Sequence, residues 1–225
     1  MYKKKIMTEY PTTELNKVKR GPKRANYEVD TVYSILDDAF LCHIGYVFKG
    51  KAIVIPTAYC RKEDKIYIHG SLKNRMMLSL LEAGDASLTV THLDGLVLAR
   101  SAFHHSANYR SVTVFGEVRR VDDPIQKMEA LACILNHMVP GHWDHVRQPN
   151  EKEFNATLVL EISIDTASAK IRAEGVNDEL QDYKLPIWAG VVPIKQVAFD
   201  AISDKEMLDG VEVPSTVLKY IENNK

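Results

Sequence analysis

Ile66-Tyr67-Ile68-His69-Gly70-Ser71-Leu72-Lys73-Asn74-Arg75 is the stretch on which the reading of this fold turns. Lys65 to His69 reads as a short strand, with Asp64 just before it as a turn residue. Gly70 allows a tight turn. Leu72, Arg75, Met76, Ser79 and Leu80 then follow helical spacing, with Ser71 as the expected cap and Gly84 as the stop. Backbone N–H groups at a helix start attract anions, and here a hydroxyl and two cations stand beside them. Ser71 and Arg75 are four residues apart, so one helix turn would aim both at the same ligand. An ordinary capped helix with solvated Lys73 and Arg75 explains the same residues, and the local pattern alone favours it.

Upstream, Val29, Val32, Tyr33, Leu36 and Phe40 mark an amphipathic helix. Cys42 to Phe48 and Lys51 to Tyr59 form a hairpin around Lys49-Gly50. Downstream, Ala86 to Thr91 and Leu96 to Arg100 are expected to pair around Asp94-Gly95, a strong hairpin signal. Ser111 to Arg120 alternates, with Val112, Val114, Gly116 and Val118 on one face. Asp123-Pro124 opens a helix that Pro140-Gly141 ends. Thr157 to Ile164 and Ala169 to Arg172 are later strands, and Val217 to Glu222 is a short helix. Strand–helix alternation of the parallel kind is missing. An antiparallel barrel with peripheral helices is the architecture these elements imply.

The chain of 225 residues is 45% hydrophobic and 26% charged, the balance of one ordinary globular domain with embellishments or two small ones. No apolar run of membrane-spanning length occurs, and no secretory apolar core follows the basic start. Cys42, Cys60 and Cys133 are sparse and odd in number. They imply buried thiols rather than a disulfide framework, and a reducing, cytoplasmic setting. Net charge is −1, yet residues 1–24 hold eight basic side chains against two acidic ones. That arm lacks interleaved aromatics, so a solvated, partly mobile terminus is expected rather than nucleic-acid binding.

A second polar and aromatic segment, Leu98 to Ser111, lies between strands, where function concentrates. Arg100 and Arg110 are built to grip phosphate or carboxylate, and Tyr109 to stack or donate. His104 and His105 would point to opposite faces of a strand, and His137, His142 and His145 straddle the Pro140-Gly141 break, so no metal site is expected. A third segment, Leu185 to Pro193, carries Trp188 among small residues and prolines. It can lay a flat ring against a ligand or serve as core. No nucleophile elbow, Walker loop or dinucleotide fingerprint is present.

Taken in order, these segments resemble the FMN-binding split-barrel family of pyridoxamine 5'-phosphate oxidase, in its flavin-nucleotide-binding and nitroimidazole-resistance-like branch. The matching stretches are Ile35 to Asp37, Cys42 to Gly45, Val54 to Tyr59, Tyr67 to Arg75, Asp94 to Ser101, His105 to Val112 with Phe115-Gly116, and Trp188 to Pro193. The resemblance implies a six-stranded antiparallel split barrel over residues 25–193, a basic arm over 1–24 and a C-terminal extension over 194–225. It implies a homodimer with two FMN sites at the subunit interface. The flavin ring would lie along Val54, Ile55, Pro56, Thr57, Ala58 and Tyr59. The phosphate would sit at His69, Gly70, Ser71, Lys73, Asn74 and Arg75. Tyr109, Arg110 and Ser111 would approach from the partner or the barrel wall, and Trp188 would border the ring. The oxidase's substrate-binding Arg and His set has no counterpart after Pro193, which argues against vitamin B6 oxidation.

The function this implies is a cytoplasmic oxidoreductase passing electrons from NAD(P)H through FMN to a small organic acceptor, with no catalytic side chain required. The alternative is a non-catalytic protein that stores or senses FMN or haem, the histidine-rich stretch from Phe103 to His105 leaving haem open.

Overall fold

The computed structural model describes residues 7–225, so Lys3, Lys4 and Lys5 of the basic arm lie outside the described residues. The strands are β1 (Ala25–Asn26), β2 (Leu41–Phe48), β3 (Lys51–Lys62), β4 (Lys65–Ser71), β5 (Asp85–Leu98), β6 (Ser106–Arg120), β7 (Thr157–Ser163), β8 (Thr166–Arg172) and β9 (Gly190–Pro193). The helices are α1 (Val29–Asp37), α2 (Arg75–Ala83), α3 (Pro124–Met138), α4 (Glu151–Ala156) and α5 (Ser215–Asn223).

All the pairings are antiparallel, and six strands close a ring in the order β6-β7-β4-β3-β2-β5, with β5 returning to β6. The ring is split because β6 changes partner. Tyr109 to Phe115 pair with β8, whereas Val118 to Arg120 pair with β7. At the changeover a β carbon on Gly116 would overlap the Ser163 carbonyl oxygen. Only glycine lets the β7–β8 turn pass this close. The Glu117 N–H is bound there by the Ser163 hydroxyl at 3.0 Å and the Asp165 carboxylate at 2.9 Å.

The expected alternation of β6 holds, with Val112, Val114 and Val118 buried. They meet Ile44 of β2, Tyr59 of β3, Ile66 and Ile68 of β4, Leu88 and Val90 of β5, and Leu160 and Ile162 of β7. Val32 and Leu36 of α1 and Met76, Met77 and Leu80 of α2 complete this core. Helix α3 starts as expected, with the Asp123 side chain accepting from Gln126 N–H. It packs outside the barrel through Ala130 against Val121 and Val159.

Four expectations fail. Asp94-Gly95 is not a hairpin: β5 runs straight through it with a bulge between Leu93 and Gly95. Glycine is needed at 95 because β9 crosses close by, the Val192 carbonyl lying 3.0 Å from where a β carbon would stand. The helix after β4 is capped by Asn74, not Ser71, which ends β4 opposite Thr157. The N-terminal segment is not a solvated arm throughout. Tyr10 is 1% exposed, and buried Asn16 donates to the Pro11 and Ala167 carbonyls. Finally, Cys60 of β3 and Cys133 of α3 form a disulfide with Cα atoms 5.9 Å apart, leaving only Cys42 free and buried. That pairing removes the cysteine-based argument for a reducing compartment. Among the described residues no helix is long and apolar enough to cross a membrane.

Tyr10→Ala should cost about 3–5 kcal/mol of folding stability, the range for emptying a buried aromatic site. Urea unfolding reads this directly, and an unchanged midpoint would return the segment to the solvated class.

Candidate functional site

Strand β3 is flanked by different strands along its length. Lys51 to Ala58 pair with β2 on one side, but β4 joins the other side only from Tyr59 to Lys62. Among the described residues, the edge of β3 from Lys51 to Ala58 that faces away from β2 therefore has no strand partner. Strand β4 runs on past this point, where His69, Gly70 and Ser71 pair with Val159, Leu158 and Thr157 of β7. The two strands part, and a wedge opens between the bare β3 edge and the end of β4. Backbone donors and acceptors on such an edge need a partner from elsewhere.

The alternation of β3 sorts the expected ring-binding run. Val54, Pro56 and Ala58 face outward with His43 and Gly45 of β2, whose register partners are Pro56 and Val54. Ile55 packs on the core instead, Thr57 shares its parity, and Tyr59 is fully buried with its hydroxyl donating to the Leu36 carbonyl. Three of the six side chains thus line the wedge, and the others contribute backbone. The outward strip is made of small or flat groups, with Val54 65% exposed.

At the wedge corner the Ser71 hydroxyl accepts from Lys73 N–H at 3.2 Å. Gly70 lies in β4 rather than in a turn. Its lack of a side chain matters because a β carbon would stand 3.1 Å from both Asn74 Nδ2 and Met77 Cγ. The Arg75 guanidinium donates to the Tyr46 hydroxyl from Nε at 3.3 Å and Nη2 at 3.2 Å, and covers the Phe48 ring at 4.7 Å. Because Ser71 is not helical, the expected one-turn pairing of Ser71 with Arg75 does not occur. Both nevertheless border the same corner.

Among the described residues neither Lys73 nor Arg75 has a carboxylate within ion-pair distance, whereas Arg61, Arg100 and Arg110 are held by Asp37, Asp178 and Asp94. An exposed aromatic-backed arginine beside a free lysine and a hydroxyl fits a phosphate. The bare β3 edge fits the polar rim of a flat heterocycle, and the strip of Val54, Pro56 and Ala58 fits its face. A flavin mononucleotide unit suits both features, so these residues pass the test of fit. The hollows elsewhere, about 310 and 450 Å³, lie under α5 and do not include this corner.

Tyr109, Arg110 and Ser111 do not reach the wedge of their own chain. They pair with Leu93, His92 and Thr91 of β5, beyond the Ser87-to-Thr89 stretch that β2 covers. Arg110 is not free: Asp94 takes Nε and Nη2 at 3.0–3.3 Å, and Asp38 takes Nη1 at 2.7 Å. Those hydrogen bonds hold its pKa above the usual guanidinium value. The Ser111 hydroxyl is spent on the Lys170 carbonyl at 3.3 Å. Trp188 is 66% exposed, its ring lying against Gly190 of β9.

Sequence reasoning missed the Asp178 anchor. Asp178, from an irregular segment, is buried and accepts from the Arg100 backbone N–H and Nη1 at 3.1 Å. Arg100 is therefore structural, with its guanidinium 5.0 Å from the Tyr183 ring centre. His104 and His105 belong to a 3-10 turn and its end, not to a strand.

His69 stands at the wedge, and partial burial pushes its pKa below the ordinary imidazole value. The unfolded chain therefore takes up this proton at higher pH than the folded one. Stability should fall as pH drops through the window just below the ordinary imidazole value. An NMR titration should place the His69 midpoint below the ordinary imidazole value, and His69→Gln should flatten the stability profile in that window.

Comparison with known proteins agrees with this architecture. The family model described as pyridoxamine 5'-phosphate oxidase matches residues 28–171. No curated protein matches the chain. Among solved structures, the flavocytochrome Anf3 from Azotobacter vinelandii is 38% identical, covers 92% of this chain and 96% of its own, and superposes with a TM-score of 0.87. The FAD and heme binding protein from Mycobacterium smegmatis is 29% identical, with coverages of 87% and 96% and a TM-score of 0.83. A candidate 5-nitroimidazole antibiotic resistance protein from Bacteroides thetaiotaomicron, 19% identical with coverages of 65% and 86%, shares the fold at a TM-score of 0.57.

Proposed function

Because the chain belongs to the pyridoxamine 5'-phosphate oxidase family, we propose that it is a flavin-dependent redox protein, taking electrons from NAD(P)H and delivering them to a small organic acceptor. The observation that carries this reading is the wedge between β3 and β4, where a bare strand edge meets two cations without carboxylate partners. A bound flavin supplies hydride acceptance from a nicotinamide and stepwise electron release. The chain's own task is then binding and orientation. Ser71, Lys73 and Arg75 hold the phosphate, and the β3 edge aligns the polar rim of the ring. Val54, Pro56 and Ala58 shield one ring face from water, while His43 and His69 frame the strip. FMN follows from the family resemblance and FAD from the Mycobacterium smegmatis relative. Both carry the phosphate next to the ribityl chain, which is the group this corner suits.

The site is completed by a second copy of the chain. Leu41, Val47 and Val54 leave the outward face of β2 and β3 exposed and free of charge at its centre. Covering that face would bring the partner's Trp188 or Tyr109 toward the wedge, which they do not reach in their own chain.

A second reading is favoured by one observation. The Azotobacter vinelandii relative is named a flavocytochrome, and the Mycobacterium smegmatis relative is named for FAD and heme binding. In this reading haem is held by the same chain and is the electron acceptor.

Purified protein should show flavin absorption, the mass of the released flavin should separate FMN from FAD, and NADH or NADPH should bleach it. A protein that neither contains nor takes up flavin would overturn the proposal. Arg75→Ala should weaken flavin binding by about 1.5–3 kcal/mol, the scale of a hydrogen bond to a charged group, or roughly 10- to 150-fold. Fluorescence titration measures this, and unchanged affinity would move the phosphate elsewhere.

A further inference from the structure

We propose that His105 is the protein ligand of the haem iron, an assignment that rests on the haem reading above. Its ring Nδ1 lies 2.9 Å from the Ser101 carbonyl oxygen. A carbonyl can only accept, so Nδ1 carries the proton and Nε2 keeps its lone pair. His105 is exposed, and among the described residues its ring makes no hydrogen bond other than the one at Nδ1. A backbone carbonyl that fixes the tautomer and orientation of an imidazole is the usual support behind a metal-bound histidine.

Most of the other histidines are less open or unsupported, with His92, His137 and His142 half-buried. His92 and His137 use Nε2 on the Ile35 and Ala39 carbonyls. His142 uses Nδ1 on the Thr216 hydroxyl and stacks on His145, and His104 Nε2 faces Glu179 at 3.6 Å. His43 and His69 belong to the wedge.

The surroundings of His105 suit a large apolar disc. Phe103, two residues earlier in the same turn, is 89% exposed, and Leu180, next to Glu179, is 88% exposed. These two bare side chains give the turn an apolar rim suited to a flat macrocycle. The turn is nonetheless firmly held, because buried Asp178 grips Arg100 just before it. A fixed turn presents its imidazole without an ordering cost. The bond formed is dative, from the Nε2 pair to iron, and no electron changes hands. Phe103 and Leu180 would border the porphyrin.

The test uses the full chain, loaded with ferric protoporphyrin IX. Wild type should bind one haem per chain with a shifted Soret band. His105→Gly should lose at least tenfold in haem affinity and the shifted band, and added imidazole should restore the band. His105→Gln should lose it equally, and His145→Ala should keep it. Flavin content reports on folding in each variant. If His105→Gly and His105→Gln keep wild-type stoichiometry and spectrum, the ligand lies elsewhere while the haem reading stands. If wild type takes up no haem, the haem reading itself falls and this assignment falls with it.

Discussion

The close passage of the Ser163 carbonyl over Gly116 is the contact on which the rest of this structure hangs. A long strand can close a barrel only if its far side is shared out among neighbours. Strand β6 does this by handing over from β8 to β7 within three residues. The handover needs a backbone position with no side chain, and the released Glu117 N–H is caught at once by Ser163 and Asp165. Substituting Gly116 would push β7 away from the ring. β7 is also the strand that carries the end of β4, and with it the wedge corner. One missing methyl group therefore governs both closure and site.

Charge is distributed with the same economy. The arginines that shape the structure are each matched to a carboxylate: Arg61 to Asp37, Arg100 to Asp178, Arg110 to Asp94 and Asp38. Arg75 is matched instead to aromatic groups, Tyr46 and Phe48. Aromatic support holds a guanidinium in place without neutralising it, which leaves its charge available to an incoming anion. The distinction between paired and aromatic-backed arginines is thus made by their neighbours, not by their type.

That distinction explains how far the sequence could be read. Periodicity exposed the barrel strands, because one buried face forces alternation, as in Val112, Val114 and Val118. It also exposed the cap at Asp123, because N-cap chemistry is local. The corner from His69 to Arg75 was legible for the same reason, although its cap was misplaced by three residues. Ser71 and Asn74 are both good caps, and only the continued pairing of β4 with Thr157 decides between them. What stayed hidden depends on distant partners. Gly95 reads as a turn until β9 is seen passing over it. Arg110 reads as an anion clamp until Asp38 and Asp94 arrive from other parts of the chain. Tyr10 and Asn16 sit among charges that look solvated, and Cys60 meets a cysteine 73 residues away.

Pro56, in the middle of β3, has one more consequence. An unpaired strand edge is an invitation to a neighbouring molecule's strand, and through it to ordered aggregates. Proline has no N–H to offer, so a foreign strand laid along Lys51 to Ala58 would find its hydrogen-bond ladder broken halfway. The slot therefore stays open to a small planar guest and closed to polymerisation, which lets the protein keep an exposed edge in solution without paying for a permanent cover.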